Sequence, residues 1–417
     1  MSELEAGHAP PGASTFRIRS LLWRVYIPTF LYAVGQGAVL PIIPLFAKDL
    51  GAGVGLASAV FALRGVGTMF VDLPAGFGVT RFGDRTVMIA GTAGVAVFAL
   101  IAGLSGSVSQ LAVMVLLMGG SFSLWNVSRL AYVTDQLPIA RRGRALALVG
   151  GTNRIGNFVG PILGGVLALT FGLEAAFYTQ AALGLAAAVL LFVVVPRGAA
   201  ATTFVSELSV HRRIGRLLRE HRAVFATAGA AVFILQLLRM GRQLLIPLWG
   251  DEIGLNEAEI GLIFGLASGV DMFMFYPIGI VMDRYGRKWA AVPCLLILGG
   301  SIALLPTTAT FATLLAVGLL SGLGNGFGSG IVQTLGADLS PPRARGEFLG
   351  VWRLIADSGS AGGPFLISGM VVVAGLGAAA VATGATGLLG AAIMALLVRE
   401  TLTGRASRPS GRDPPPH

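Results

Sequence analysis

The chain has 417 residues, of which 54% are apolar and only 12% are charged, and its mean hydropathy is +0.79. These values exclude a soluble globular domain and indicate a polytopic membrane protein. The formal net charge of +10 is spread over short loops rather than over one surface, so we interpret it as membrane topology and exclude a nucleic-acid-binding protein.

Long apolar segments follow one another along the chain, each long enough for the roughly 20 residues that a membrane-crossing helix needs. After a polar N-terminal tail, the first six segments run at about 22–46, 55–79, 86–105, 110–134, 145–170 and 175–195. Six more run at about 223–249, 257–281, 287–307, 311–336, 347–373 and 377–398. The sequence therefore predicts an all-α integral membrane protein with twelve transmembrane helices. They form two pseudo-symmetric six-helix bundles, over residues 21–195 and 223–399.

The tails and the linker between the bundles are basic. Residues 1–20 form the N-terminal tail, and residues 400–417, rich in proline, serine and arginine, are predicted to be disordered. The linker, residues 196–222, carries six arginines and predicts an amphipathic helix on the anionic inner leaflet, with a docking site for a soluble partner as the alternative. Because basic residues mark the cytoplasmic side, we expect both tails and the linker to be cytoplasmic at the cell (inner) membrane.

Two stretches of the chain repeat the same pattern of glycines and charges. The sequence of Gly279–Lys288 is GIVMDRYGRK, and that of Gly76–Arg85 is GFGVTRFGDR, 203 positions earlier by subtraction of 76 from 279. The same offset relates further pairs, namely Pro44 and Pro247, Pro74 and Pro277, Asp135 and Asp338, Gly160 and Gly363, and Pro161 and Pro364. Because glycine and proline restrict the backbone in characteristic ways, this recurrence predicts one architecture built twice.

Polar and charged side chains occur in eight of the predicted helices, whereas the third, sixth, ninth and twelfth have uncharged interiors. A charge at the bilayer centre costs at least about 2.5–3.5 kcal/mol, so these side chains should face a central aqueous cavity. The intramembrane carboxylates are the candidates for proton coupling: Asp72, Asp271 and Asp357. The candidates for the substrate cavity are Gln36, Arg64, Asn126, Arg129, Asn153, Arg154, Asn157, Gln236, Arg239, Arg242, Gln243, Asn325 and Arg353.

The depth of these charges suggests partners across the two halves. At about 1.5 Å per residue, Asp271 lies roughly 18 Å from the cytoplasmic end of its helix, and Arg154 lies at a similar depth of roughly 15 Å. We predict that Arg154 pairs with Asp271, and that Asp72 pairs with Arg353. An alternative for Arg353 is Asp357, four residues along the same helix. The arginine excess would suit an anionic substrate group, unless the arginines bind backbone carbonyls or extend to water.

The twelve segments, the repeat and the loop at Gly279–Lys288 together resemble the major facilitator superfamily, whose signature follows the second and eighth helices. The fifth segment is also similar to a motif of the proton-coupled drug antiporter branch, at Gly156, Gly160, Pro161, Gly164 and Gly165. Small residues at this spacing let helices approach closely.

The resemblance implies two bundles that alternate between inward-open and outward-open states around a substrate near the midplane. It also implies a cytoplasmic latch, in which Asp283 and Arg284 engage the region of Asp338 and the eleventh helix, and Arg81 engages Asp135. The latch candidates are Gly76, Arg81, Gly83, Arg85, Asp135, Gly279, Asp283, Arg284, Gly286, Arg287, Lys288 and Asp338.

The predicted function is secondary active transport, with proton-coupled efflux of small amphipathic compounds as the specific hypothesis. It requires a lipid bilayer, a small-molecule substrate and a proton gradient, but no cofactor, metal or nucleic acid, and we expect a monomer. An organic-anion transporter or importer is the alternative, and a non-transporting receptor or scaffold is a distant one. An enzyme is excluded because no catalytic cluster, metal-ligand spacing or phosphate-binding loop is present.

Overall fold

Every predicted apolar segment is helical in the computed structural model, which describes residues 21–137, 139–196, 215–341 and 344–402, with the backbone alone for 139–144. The helices of the first half are α1 (Leu22–Val39), α2 (Ile42–Asp49), α3 (Val54–Phe82), α4 (Asp84–Gly103), α5 (Val108–Gln136), α6 (Ile139–Phe171) and α7 (Glu174–Val194). Those of the second half are α8 (Arg222–Glu252), α9 (Glu257–Tyr285), α10 (Lys288–Ala303), α11 (Phe311–Phe327), α12 (Ile331–Leu339) and α13 (Arg345–Ala392).

The predicted helices are confirmed, although their number of complete crossings stays a prediction. Within the described ranges, nine helices are long and apolar enough to span a membrane when α11 and α12 count as one, and the bent pair α1–α2 is a tenth. Helix α13 covers the last two predicted segments and changes direction at Gly375, where φ is 82°. Helix α10 is shorter, with 16 residues.

Helix ends differ between the two faces of the molecule. The loops after α3 and α9 turn at Gly83 and Gly286, whose φ angles of 81° and 114° favour glycine. We call their side the basic face. On the far face, helices start from side-chain caps: Ser107 accepts the Gln110 N–H, and Asn256 forms a capping box with Glu259.

The two halves meet mainly along two helix pairs, α6 with α9 and α3 with α13, with a smaller contact between α2 and α8. Their contact is tight towards the far face, where a Cβ added to Gly165 would lie 2.4 Å from the Glu257 carbonyl oxygen. There, too, the Ser368 hydroxyl donates to the Gly55 carbonyl at 2.7 Å. Towards the basic face the same four helices separate. A Cβ would meet nothing within 4 Å at the following positions: Gly76, Gly150, Gly279 and Gly350. The molecule is therefore closed at the far face and open at the basic face.

The small residues of α6 hold that helix against α1 within the first half. A Cβ on Gly160 would lie 2.3 Å from the Val34 carbonyl oxygen, and one on Gly164 would lie 2.4 Å from the Ala38 carbonyl oxygen. Backbone atoms cannot move aside as a flexible side chain can. The helix contact therefore depends on the missing side chains.

We expect Gly160→Ala to destabilise the protein by about 1–3 kcal/mol through overpacking. Gly150→Ala, on the same helix but facing open space, is the matched control and should be neutral or stabilising by about 0.5–1 kcal/mol, because alanine favours helix more than glycine does. Apparent melting temperatures of both variants in detergent would check this. Equal melting temperatures for the two variants would contradict the packing role.

The linker differs from the amphipathic surface helix that the sequence predicts, as far as it is described. Residues 197–214, with Arg212 and Arg213, lie outside the described residues, and residues 215–220 are helical. Leu217 is only 4% exposed and packs in the main apolar core, so it faces protein rather than the leaflet, whereas Leu218 is exposed. The expected apolar face is therefore shared between the bundle and the surroundings.

Candidate functional site

An ion pair joins the halves through α6 and α9, as predicted. Arg154 Nη1 lies 2.9 Å from Asp271 Oδ2, and both side chains are largely buried. Arg154 Nη2 also donates to the Ser329 hydroxyl at 3.0 Å, and its guanidinium carbon lies 4.7 Å from the centre of the Phe275 ring. One cation and one anion thus neutralise each other in the cavity wall.

A second charged cluster joins α3 and α13, and here both sequence alternatives are realised together. Arg353 Nη2 lies 3.2 Å from Asp72 Oδ2, and Arg353 Nε lies 3.4 Å from Asp357 Oδ2. The Ser123 hydroxyl donates to the other Asp72 oxygen. Two carboxylates therefore share one guanidinium, so the cluster has a charge of −1 when both are ionised. One added proton would make it neutral.

Two arginines on α8, Arg239 and Arg242, differ in their hydrogen-bond partners. Arg239 donates from all three nitrogens to neutral acceptors: the Asn325 side chain at 2.9 Å, the Gln236 side chain at 3.0 Å and the Gly328 carbonyl at 2.8 Å. Gly328 precedes Gly330, which has a φ of 78° and separates α11 from α12. Arg239 therefore binds the broken helix, as the backbone-carbonyl alternative predicts.

Arg242 is only 5% exposed. Its guanidinium carbon lies 5.5 Å from the centre of the Phe264 ring. Its Nε is buried without a hydrogen-bond partner, and the guanidinium has no ion pair with any described residue. The sequence alone does not distinguish Arg242 from Arg239, because both are arginines on the same helix. The structure shows that they differ in their hydrogen-bond partners.

These side chains line a cavity between the halves that opens towards the basic face. One part, of about 540 Å³, is lined by Gln36, Arg154, Asn157, Arg242, Gln243, Asp271 and Asn325, among others. An adjoining part, of about 570 Å³, shares four of these residues and adds Arg239. A further pocket of about 620 Å³ lies beside Arg64, Thr68, Phe122, Met240 and Asp357.

The remaining cavity candidates are placed within one half. Arg129 is buried and donates to Asn126 at 2.8 Å and to Thr29 at 3.4 Å, with its guanidinium 5.2 Å from the Trp125 ring. This cluster holds α5 to α1 in the first half. Asn153 is half-buried on α6, next to Arg154.

A family model described as Major Facilitator Superfamily matches residues 25–241 and 230–416. The chain belongs to this superfamily. It is therefore a multi-pass membrane transporter and not an enzyme. Multidrug resistance protein 2 of Bacillus subtilis is 27% identical over 299 residues, covering 69% of this chain and 73% of that protein. Multidrug resistance protein MdtL of Escherichia coli O157:H7 is 26% identical over 310 residues, covering 73% and 78%.

Solved structures show the same fold at lower identity. A bacterial homologue of the human lysosomal transporter Spinster, in an inward-facing and unoccupied conformation, has a TM-score of 0.73 at 14% identity, with 92% of this chain and 97% of that chain covered. A peptide transporter of the POT family in complex with sulfate has a TM-score of 0.72 at 13% identity, with 90% and 94% covered. These likenesses concern the fold alone.

The latch of this transporter is not arranged as the resemblance implies. Asp283 is 84% exposed, and Arg284 lies over the Tyr285 ring. Arg287 instead binds Asp338 at 2.8 Å, within the same half. The predicted contacts of Asp283 and Arg284 with Asp338 and the start of α13 are therefore absent from the described residues, and Arg287 of the same loop binds Asp338 in their place.

The first copy of the motif is also held within its own half. Arg85 donates to the Phe192 carbonyl at 2.7 Å, and Arg81 lies over the Phe82 ring. The predicted pair of Arg81 with Asp135 is absent from the described residues. Since neither loop crosses to the other half, the two loops bind their own bundles when the basic face is open.

Glu400 has a structural role that the sequence does not reveal, since it falls in the stretch 400–417 predicted to be disordered. Its carboxylate accepts the backbone N–H groups of Arg287 at 2.8 Å and Lys288 at 3.0 Å. It thus caps the start of α10, where the helix dipole favours a negative charge. Residues 400–402 are therefore attached to the second motif loop, which corrects the prediction for this part of the tail. Residues 403–417 lie outside the described residues.

Acid should release this cap. Partial burial raises the pKa of Glu400, but four backbone N–H donors outweigh it and hold that pKa below its ordinary value. Because the pKa is lower in the folded state, the stabilisation is complete above the ordinary glutamate pKa and is lost as pH falls through the lowered value. We expect hydrogen exchange of peptides covering residues 286–290, corrected for intrinsic rates, to quicken at low pH and, in Glu400→Gln, at neutral pH. Unchanged exchange in that variant would contradict the cap.

Proposed function

We propose that the protein is a proton-coupled exporter of small amphipathic compounds, acting as a monomer in the cell membrane with both termini in the cytoplasm. The single observation that carries the coupling is the cluster in which Asp72 and Asp357 share Arg353. The names of the two multidrug resistance relatives support export, and the lining of the cavity, which mixes apolar and polar side chains, supports an amphipathic substrate.

The cluster suggests how a proton exchanges for substrate. In the structure, which is open to the basic face, Arg353 contacts both carboxylates, an arrangement expected after proton release to that side. A proton arriving from the far face would bind one carboxylate and remove its negative charge, so that its attraction to Arg353 falls. Because Asp72 and Arg353 belong to different halves, this change alters the link between the bundles and favours their rearrangement.

Proton flux in proteoliposomes tests the proposal. The purified full chain is reconstituted with pyranine inside, and three probes with one apolar body are added: 2-naphthylmethylammonium, 2-naphthylmethanol and 2-naphthoate. We expect transport of at least one probe to drive protons in the direction opposite to the probe. Nigericin collapses the pH gradient and should therefore stop the accumulation of that probe. Probe transport that does not depend on the pH gradient, or the absence of proton movement with every probe, would overturn the proposal of proton coupling.

The organic-anion alternative is favoured by one observation. Neither Arg239 nor Arg242 is paired with a carboxylate among the described residues. An anion carrier without proton coupling would move 2-naphthoate alone and would do so equally with and without nigericin.

A further inference from the structure

We propose that Arg242 forms the anion subsite of this transporter and binds an acidic group, such as a carboxylate, on the amphipathic substrate. That the bound anion is a transported substrate rests on the proposed function, whereas the subsite itself rests on the geometry around α8.

The charge of the cavity wall is unbalanced. Its charged lining residues are Arg154, Arg239, Arg242 and Asp271. Asp271 is already engaged by Arg154 at 2.9 Å, so two positive charges remain without a carboxylate partner in the described part of the chain. A buried charge is costly unless it is paired. An anionic ligand would supply the missing counter-charge.

Of the two remaining cations, Arg242 is the one with free donors. Arg239 has neutral acceptors on all three nitrogens and is held in place by them. Arg242 donates to none of the described residues, although its side chain is buried and only 5% exposed. A guanidinium with unused N–H groups presents the geometry that binds a carboxylate through two parallel hydrogen bonds.

The surroundings of Arg242 complete a site for an amphiphile rather than for a bare ion. The guanidinium lies over the Phe264 ring, with 5.5 Å between the ring centre and the guanidinium carbon, and Arg242 also lines the cavity. Gln243, the next residue, lines the same cavity, where its side-chain NH₂ group can donate to a carboxylate, whereas its side-chain carbonyl is buried without a partner. Apolar lining is supplied nearby by Leu40, Pro161 and Met240.

Binding of the three naphthalene probes to the purified full chain tests the subsite without any transport. We expect 2-naphthoate to bind wild type at least about tenfold more tightly than 2-naphthylmethanol by isothermal titration calorimetry, a difference of about 1.4 kcal/mol. In Arg242→Gln the two affinities should become equal, and Arg242→Lys should restore part of the preference, because it keeps the charge but loses the two-bond geometry. A preference that survives in Arg242→Gln, or no binding of 2-naphthoate to wild type, would overturn the proposal.

A stability measurement guards against misfolding of the variant. Because Arg242 has no hydrogen-bond or ion-pair partner among the described residues, Arg242→Gln should melt at the same temperature as wild type or higher. A structural arginine would show the reverse, and a clear drop in melting temperature together with a retained anion preference would count against the subsite.

The source of the anion and the coupling are separated by two further arms. If dihexanoylphosphatidylglycerol displaces 2-naphthoate from wild type but not from Arg242→Gln, the subsite is supported and a lipid headgroup also fits it. If 2-naphthoate binds with the expected preference but its transport moves no protons, the anion subsite is supported and the proposal of proton coupling is overturned.

Discussion

Replacing Asp72 or Asp357 by asparagine should abolish uphill transport while leaving exchange intact. Either change removes one of the two carboxylates that share Arg353, so the cluster becomes neutral without a proton and no longer needs to bind one. We expect pH-driven accumulation in proteoliposomes to fall at least about tenfold, or more than about 1.4 kcal/mol in coupling free energy. Exchange of labelled for unlabelled substrate needs no protonation and should persist.

The controls for this prediction are two other aspartates. Asp49→Asn changes an exposed carboxylate at the far face and should leave accumulation unchanged. Asp271→Asn breaks the one-to-one pair with Arg154 and should impair both accumulation and exchange. If Asp271 alone were required for coupling while both Asp72 and Asp357 could be replaced freely, the assignment of the proton to the shared cluster would be wrong.

The second large effect is expected from the Arg154–Asp271 pair. Arg154→Gln or Asp271→Asn leaves one largely buried charge without its partner, which typically costs about 3–5 kcal/mol. We expect both single variants to melt at lower temperature and to transport poorly. The exchanged double variant, Arg154→Asp with Asp271→Arg, restores opposite charges on α6 and α9 and should recover part of the stability.

The double variant also separates this pair from ordinary polar contacts. Arg154 is bound to Ser329 as well, so recovery will be partial if the hydroxyl contact matters. A double variant that is less stable than either single variant would show that the two charges do not act as a pair. Thermal unfolding in detergent and exchange in proteoliposomes are the two measurements.

Much of the fold was predictable because the bilayer restricts a chain so strongly. Apolar length identifies the helices, and the 203-residue repeat identifies the two halves. The Arg154–Asp271 pair was predictable for the same reason: a fixed rise per residue places both charges at similar depth. The position of Arg353 between Asp72 and Asp357 was left open, because helix tilt and rotation decide whether one guanidinium reaches both.

Other parts of the site depend on information that a single sequence does not carry. Arg239 and Arg242 are three residues apart on one helix, and only the break at Gly330 decides which of them finds a carbonyl. The sequence alone also does not show that Arg287, rather than Asp283 or Arg284, reaches Asp338. Glu400 lies in a polar stretch, and no sequence pattern there predicts that it caps the start of α10, more than 100 residues earlier in the chain.

The far face carries a contact between equivalent positions of the repeat. There Lys48 of α2 forms an ion pair with Asp251 of α8, and these two residues are themselves 203 positions apart. A pair of equivalent positions can touch only near the axis that relates the halves. In a dimer of two identical halves the same residue would stand on both sides of that axis, lysine against lysine or aspartate against aspartate, and like charges would repel. Because both halves belong to one chain, each side can carry a different residue, so this ion pair is one that two identical halves could not form.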